Sequence, residues 1–261
     1  DFCLSRGLGD VYKRQGKKMT KHMMLNNVYH KDTKVITHYG AQYGDAQASV
    51  LAFPSEFIEL QKHYPIFFRR DGESDDYQCS VLLGLEKNEN LFLDASYPSG
   101  WKVDYVPAIL NKGPFLIGFQ QPEHSEDNNA VIHIDMDHPK VSESEGQPLF
   151  LSHGGNSPYL NHISSCLTVI DSGLEIQSDM FKQFLTLNLI EPVNIEFELS
   201  NGEKRRLRGN YTIHEEKLAA LSASELHTLN KYGYLQLAFA VVASMTNVRK
   251  LINLKNLQLS Q

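Results

Sequence analysis

Residues 194–213, NIEFELSNGEKRRLRGNYTI, carry the clearest local signal in the chain. Ile195, Phe197 and Leu199 alternate with Asn194, Glu196 and Glu198, the period-two pattern of a strand with one buried face. Asn201-Gly202 follows, a pair that tolerates positive φ and closes tight hairpins. Lys204 to Ile213 supplies the returning strand. A β-hairpin is therefore expected here, and its surroundings decide the fold class. Upstream, Leu160, Ile163, Leu167, Ile170 and Leu174 recur at helical spacing, as do Phe181, Phe184 and Leu185. Ser157-Pro158 is a good start for that helical region, a serine N-cap with proline at the first helical position. Gly173 is read as a kink or division in it. Downstream, Ser222 to Glu225 (SASE) forms a capping box, and a helix from Tyr234 to about Lys255 closes the chain.

The stretch from about Val35 to Phe150 reads differently, as short strands divided by turns. Within it, Phe53 to Phe68 contains a short helix opening at Ser55, preceded by Pro54 and ended by Pro65. Ser80–Leu85 and Asn90–Asp94 are read as strands joined by the polar turn Glu86–Glu89. Gly113-Pro114 marks a break, QPEHSEDNNA (121–130) a polar loop, and VIHIDMD (131–137) a strand. The expected class is α+β: a strand-rich N-terminal half, then a helical C-terminal half carrying one β-hairpin.

Residues 5–15, SRGLGDVYKRQ, are what an in-frame reading of a sequencing-library adapter joined to a transposon end encodes. Residues 1–18 are accordingly taken as a non-native segment and Met19 as the native start. The native portion, 19–261, is read as one domain with a strand-rich lobe over about 19–156 and a helical lobe over about 157–261. The chain has 25 basic and 31 acidic residues, a net charge of −6. Setting aside five basic and two acidic residues in 1–18 leaves 20 against 29, or −9. Such an acidic chain, without a long basic run, is ill suited to nucleic acid, whose binding needs Lys and Arg to displace counterions. An apolar fraction of 41% and an aromatic fraction of 10% suit a folded protein with a sizeable core. Cys79 and Cys166 are too few and too distant for a disulfide framework, and are read as reduced thiols in the cytoplasm. TKHMMLNNVYHKD after Met19 has no apolar signal region. The longest near-apolar run, Tyr234–Met245, falls short of the ~20 residues a bilayer-spanning helix needs, so a buried core helix and no membrane insertion are expected.

Several short blocks carry a resemblance. ENLFLD (89–94), the tryptophan and VPA of GWKVDYVPAIL (100–110), GPFLIGFQ (113–120), HGGNSPYL (153–160), GNYTIHEEKLAAL (209–221) and SMTNVRKLI (244–252) resemble, in order and spacing, the SapC family of bacterial proteins. The resemblance runs from about Leu25 to Leu254. It implies no established reaction and no catalytic residue. The family name derives from proteins linked to a bacterial surface layer, and members tend to be encoded near flavin-dependent halogenase-like proteins, cupin-like proteins and TonB-dependent receptors. It implies a soluble, non-enzymatic accessory protein without cofactor, working with a halogenase-like or cupin-like protein partner. A surface-layer structural protein is the alternative implied by the name.

Four sites are chemical candidates. In a strand, His133, Asp135 and Asp137 share one face, and imidazole with carboxylate supplies two of the three ligands of a non-haem iron site. A metal-dependent oxygenase using His133, Asp135 and iron is therefore an alternative function. It needs a distal histidine, and none of His153, His162 or His214 sits at an identifying spacing. The competing reading is an amphipathic strand with its polar face in water. His153, Gly154, Gly155 and Asn156 could bind an anion at the following helix N-terminus or simply turn the chain. A hydrolase oxyanion hole is excluded, because the sequence has no Gly-x-Ser-x-Gly. Trp101 is a candidate stacking surface set against a core role. Lys204–Arg208 (KRRLR) reads as a charged hairpin edge that blocks strand pairing or, alternatively, binds an acidic partner.

Overall fold

The computed structural model describes residues 3–4, 21–72, 76–120 and 129–260. Most of the proposed adapter segment and residues 121–128 of the polar loop lie outside the described residues. The strands are β1 (Cys3–Leu4), β2 (His22–Met24), β3 (Lys34–Val35), β4 (Ser49–Leu51), β5 (Ile66–Arg70), β6 (Tyr77–Leu82), β7 (Phe115–Gln120), β8 (Asn129–Asp135), β9 (Val141–Ser142), β10 (Gln147–Pro148), β11 (Ile190–Glu198) and β12 (Lys204–Ile213). The helices are α1 (Phe57–Leu60), α2 (Ala108–Asn111), α3 (Pro158–Thr186), α4 (Glu215–Ala219), α5 (Ala223–Lys231), α6 (Tyr234–Ser244) and α7 (Asn247–Leu259), with 3-10 turns at Ala41–Tyr43 and Pro54–Glu56. The class is α+β, strand-rich first and helical afterwards, with β11 and β12 as the hairpin. The chain divides into two compact units, 1–44 with 110–168 and 45–109 with 169–261.

In the first unit, β7 and β8 form the centre of a sheet ordered β1-β7-β8-β2, and β3 lies between β10 and β9 in a second, small sheet. β7 is apolar without interruption from Phe115 to Ile117, so both its faces bury. Phe115, Ile117 and Ile134 pack with Val35, Leu149 and the α3 residues Leu160, Ile163 and Leu167. Each side chain so buried contributes roughly 1.5–3 kcal/mol. Ser157 caps α3 as its sequence requires: its Oγ accepts the Leu160 amide at 3.1 Å. β8 ends at Asp135 rather than Asp137, because the Asp135 Oδ1 accepts the Asp137 amide at 3.1 Å and turns the chain.

The second unit is built on the antiparallel sheet β11-β12-β5-β6-β4. Ile66, Phe67 and Phe68 of β5 are fully buried, and Phe68 meets Phe181 and Phe184 of α3 edge-on and tilted. The hairpin forms where expected, but with a different turn. Only Gly202 takes positive φ (82°); the Gly202 amide donates to Leu199 O and the Leu199 amide to Glu203 O, both at 2.9 Å. That is a longer loop with a single left-handed glycine, and the Asn201-Gly202 pair does not supply two positive φ values. Asn90–Asp94 is not a strand either. The Asn90 side chain bonds Asp45 O at 2.8 Å and accepts the Phe92 amide at 3.0 Å, offering the backbone a local alternative to a ladder.

Gly173 neither kinks nor divides α3, which runs unbroken for 29 residues. A Cβ there would lie 2.5 Å from the Phe53 Cβ and 2.7 Å from the Ser55 Oγ, so the glycine is a point of close approach. The Ser222–Glu225 capping box opens α5, the Ser222 amide donating to Glu225 Oε2 at 2.7 Å. Tyr234–Leu259, spanning α6 and α7, has by length and composition the apolar character of a membrane span. In the fold its Ala238, Val241, Ser244 and Leu251 are fully buried inside the second unit.

Candidate functional site

His133 sits in β8 opposite Leu116 of β7 and Met24 of β2, only 4% exposed. Burial, helped by nearby His22, pushes its imidazole pKa below the ordinary range, so the ring is held neutral. Asp135 is spent partly on the turn it caps. The strand thus buries on both faces and has no wet polar face at His133. Among the described residues no group of three or more His, Cys, Asp or Glu side chains is gathered to hold a metal ion. Trp101 is 2% exposed, stacks against Phe92 and donates its indole N–H to the Tyr64 hydroxyl at 2.8 Å. Its ring faces are core, not a platform for a ligand.

The basic run lies on the part of β12 that extends past β5, where its recorded pairing is with β11 alone. β12 lies between β11 and β5, and β11 forms the edge. Arg205 bonds Glu86 at 3.0 Å and Glu203 at 2.9 Å, and Arg206 pairs with Glu196 across the hairpin. Lys255, its side chain 8% exposed, reaches Glu89 at 2.5 Å and Glu86 at 3.1 Å, which closes a charge network between β12 and α7. Burial disfavours the Lys255 ammonium, but the hydrogen bonds to Glu89 and Glu86 outweigh it and raise its pKa.

Glu56, missed in the sequence, is a strongly perturbed carboxylic acid in the second unit. It is 2% exposed and its pKa is pushed up to about 7 by burial. Three donors oppose that shift: the Ala108 amide at 2.9 Å, the Tyr105 hydroxyl at 2.8 Å and the Phe53 amide at 3.1 Å. Tyr64, which accepts from Trp101, donates in turn to the Tyr105 carbonyl. Glu56 therefore clamps the segment holding Trp101, Tyr105 and Ala108 to the 3-10 turn at Pro54. A buried acid held by the amides of Phe53 and Ala108 and the Tyr105 hydroxyl is structural in geometry.

The first unit offers a different arrangement. Residues 26–30, NNVYH, make a tight turn in which the Asn26 Oδ1 accepts the amides of Val28 (3.1 Å) and Tyr29 (2.8 Å). Buried His30 holds the other end, its Nδ1 accepting the Asn26 amide at 3.2 Å. The pinned turn leaves Val28 72% and Tyr29 79% exposed. Beside it runs the glycine loop singled out in the sequence. Gly154 and Gly155 take positive φ (82° and 84°), and Asn27 comes close enough that a Cβ on Gly154 would lie 3.8 Å from its Nδ2. His153, Gly154, Gly155 and Asn156 are all exposed, and so is Leu151 (53%). Val28, Tyr29, Leu151 and the glycine loop thus belong to neighbouring surface segments, with apolar side chains turned to solvent. The paired asparagines before two apolar residues were the available signal for this turn.

Compared with known proteins, residues 25–251 match the family model described as SapC. No curated protein and no solved structure matches the chain.

Proposed function

The chain belongs to the SapC family, and on that premise we propose that it is a non-enzymatic accessory protein that docks its Val28–Tyr29 turn onto a halogenase-like or cupin-like protein. The observation that supports this is the pinned turn: two large apolar side chains more than 70% exposed on a backbone already ordered by Asn26 and His30. Pre-ordering lowers the entropy lost on association, and tyrosine is among the residues that most often dominate binding energy. Leu151, 53% exposed, and the exposed glycine loop add to the surface beside the turn. The protein works in the cytoplasm, with Cys79 and Cys166 kept as buried thiols.

The test is affinity capture from a host that encodes the chain. The wild-type protein should retain one such enzyme reproducibly. The double variant Val28→Ser, Tyr29→Ser should lose it by at least tenfold while melting at the wild-type temperature. Equal capture by both proteins rejects the turn as the docking element, and recovery of the chain in a surface-layer fraction replaces the accessory reading with the structural one.

A further inference from the structure

We propose that the second unit carries a binding site for an uncharged, mainly apolar small molecule, in a recess of about 340 Å³ whose apolar walls are Phe92, Val103, Leu254 and Leu257. The docking turn belongs to the first unit, so this site does not rest on the accessory reading.

Both walls are fixed by the fold alone. On one side Phe92 is buried, stacks against Trp101 with ring planes 14° apart and meets Tyr64 edge-on at 4.7 Å. Trp101 is held in turn by its bond to the Tyr64 hydroxyl. On the other side α7 is tied down along its length. The Asn247 Nδ2 donates to the carbonyls of Gln61 at 2.7 Å and Tyr64 at 3.1 Å, and the Lys250 Nζ donates to that of Lys62 at 3.3 Å. Further along the helix, Lys255 reaches Glu86 and Glu89. These bonds fix the separation between α7 and the opposite wall. The recess is therefore preformed, and a ligand entering it loses little to ordering of the protein.

The lining determines the ligand class. Its volume falls within the range of roughly 300–1,000 Å³ usual for small-molecule sites, room for a two-ring carbon skeleton. Leu257 is 63% exposed, and covering it removes apolar surface from water. The polar part of the lining is His63, Lys250 and Asn253. Charges of both signs act on His63, Asp104 and Glu59 against Lys250 and Lys62. The recess thus presents no field of one sign, and a charged ligand would give up hydration against apolar walls. Burial, the largest influence on His63, lowers its pKa and favours the neutral ring. A neutral imidazole and the Asn253 amide each offer a donor and an acceptor, which suits a ligand carrying a single hydroxyl or amide.

Calorimetric titration of the full chain with 2-naphthol and 2-naphthoate, which share one ring system and differ in charge, tests this. The uncharged naphthol should bind saturably, and the carboxylate at least tenfold more weakly. Leu257→Asp, at an exposed position, should weaken naphthol at least tenfold while melting as the wild type does. Leu259→Asp, also exposed but outside the lining, should leave the affinity unchanged. Absence of saturable naphthol binding overturns the proposal. So does equal or tighter binding of naphthoate, unchanged affinity in a folded Leu257→Asp protein, or an equal loss in Leu259→Asp. If Leu257→Asp fails to fold, unchanged affinity in Leu257→Ser is the overturning result.

Discussion

The segment Ser99–Ala108 and the turn Asn26–His30 are both irregular, both rich in aromatic or apolar side chains, and both tied by side-chain hydrogen bonds, yet they face opposite ways. Trp101 is 2% exposed and Tyr29 is 79% exposed. In the first segment the polar atoms point inward with the rings: Trp101 donates to Tyr64, and Tyr105 and Ala108 donate to buried Glu56. In the second, the polar bonds stay within the turn and the apolar groups are left outside. Blocks that identify the family are therefore not by that fact sites of recognition. The tryptophan block holds the fold of the second unit together, whereas exposed apolar groups on an ordered backbone mark a surface available to a partner.

The largest effect that could break this contrast is at Trp101. Trp101→Ala should cost about 3–5 kcal/mol through lost packing and a residual cavity. Trp101→Phe, which keeps a ring and loses the bond to Tyr64, should cost about 1–2 kcal/mol. Denaturant titration reads both, and a loss under ~1 kcal/mol in the alanine variant would remove Trp101 from the core side of the comparison.

Next is Glu56. Its folded pKa, about 7, lies above its ordinary value of 4.5 because burial favours the neutral acid. The folded state therefore keeps a proton that the unfolded state gives up. The contribution is fully present below about pH 4.5, declines as pH rises through 7, and amounts to roughly 3 kcal/mol. Stability measured at pH 5 should exceed that at pH 8, and Glu56→Gln should flatten the difference. A variant with the wild-type pH dependence would show that another group controls it.

Gly173→Ala should cost about 1–3 kcal/mol, because the new methyl has to displace Phe53 and Ser55. Thermal melting at a fixed pH tests this. The smallest stability effect is expected at Tyr29: alanine there should shift folding by no more than about 0.5 kcal/mol while reducing partner capture. A large destabilisation would mean that the exposed ring supports the turn rather than a partner.

Legibility in the sequence followed locality. The hairpin strands, the Ser157 cap and the Ser222–Glu225 box each depend on residues within a few positions, and the structure contains all of them. The turn type was missed because Asn201-Gly202 allows several loops and the strand register selects among them. Asn90–Asp94 has strand-like composition, but Asp45, far away in sequence, captures the Asn90 side chain. Gly173 is a helix-weakening residue by propensity, and only its contact with Phe53 explains why the helix passes through it unbroken. Of the candidate site residues, the glycine loop lies at the surface as its composition suggested, while His133 and Trp101 turned out to be buried.

Period, capping and turn chemistry are interactions between near neighbours, so the sequence by itself determined the α+β class, the hairpin and the family. The buried state of Glu56, the inward turn of Trp101, the place of β12 inside its sheet and the convergence of His63, Phe92, Val103 and Leu254 were decided only by the tertiary structure. The reason is that burial, local dielectric and hydrogen-bond partners at each of these positions are set by residues tens of positions away, whose approach no local pattern encodes.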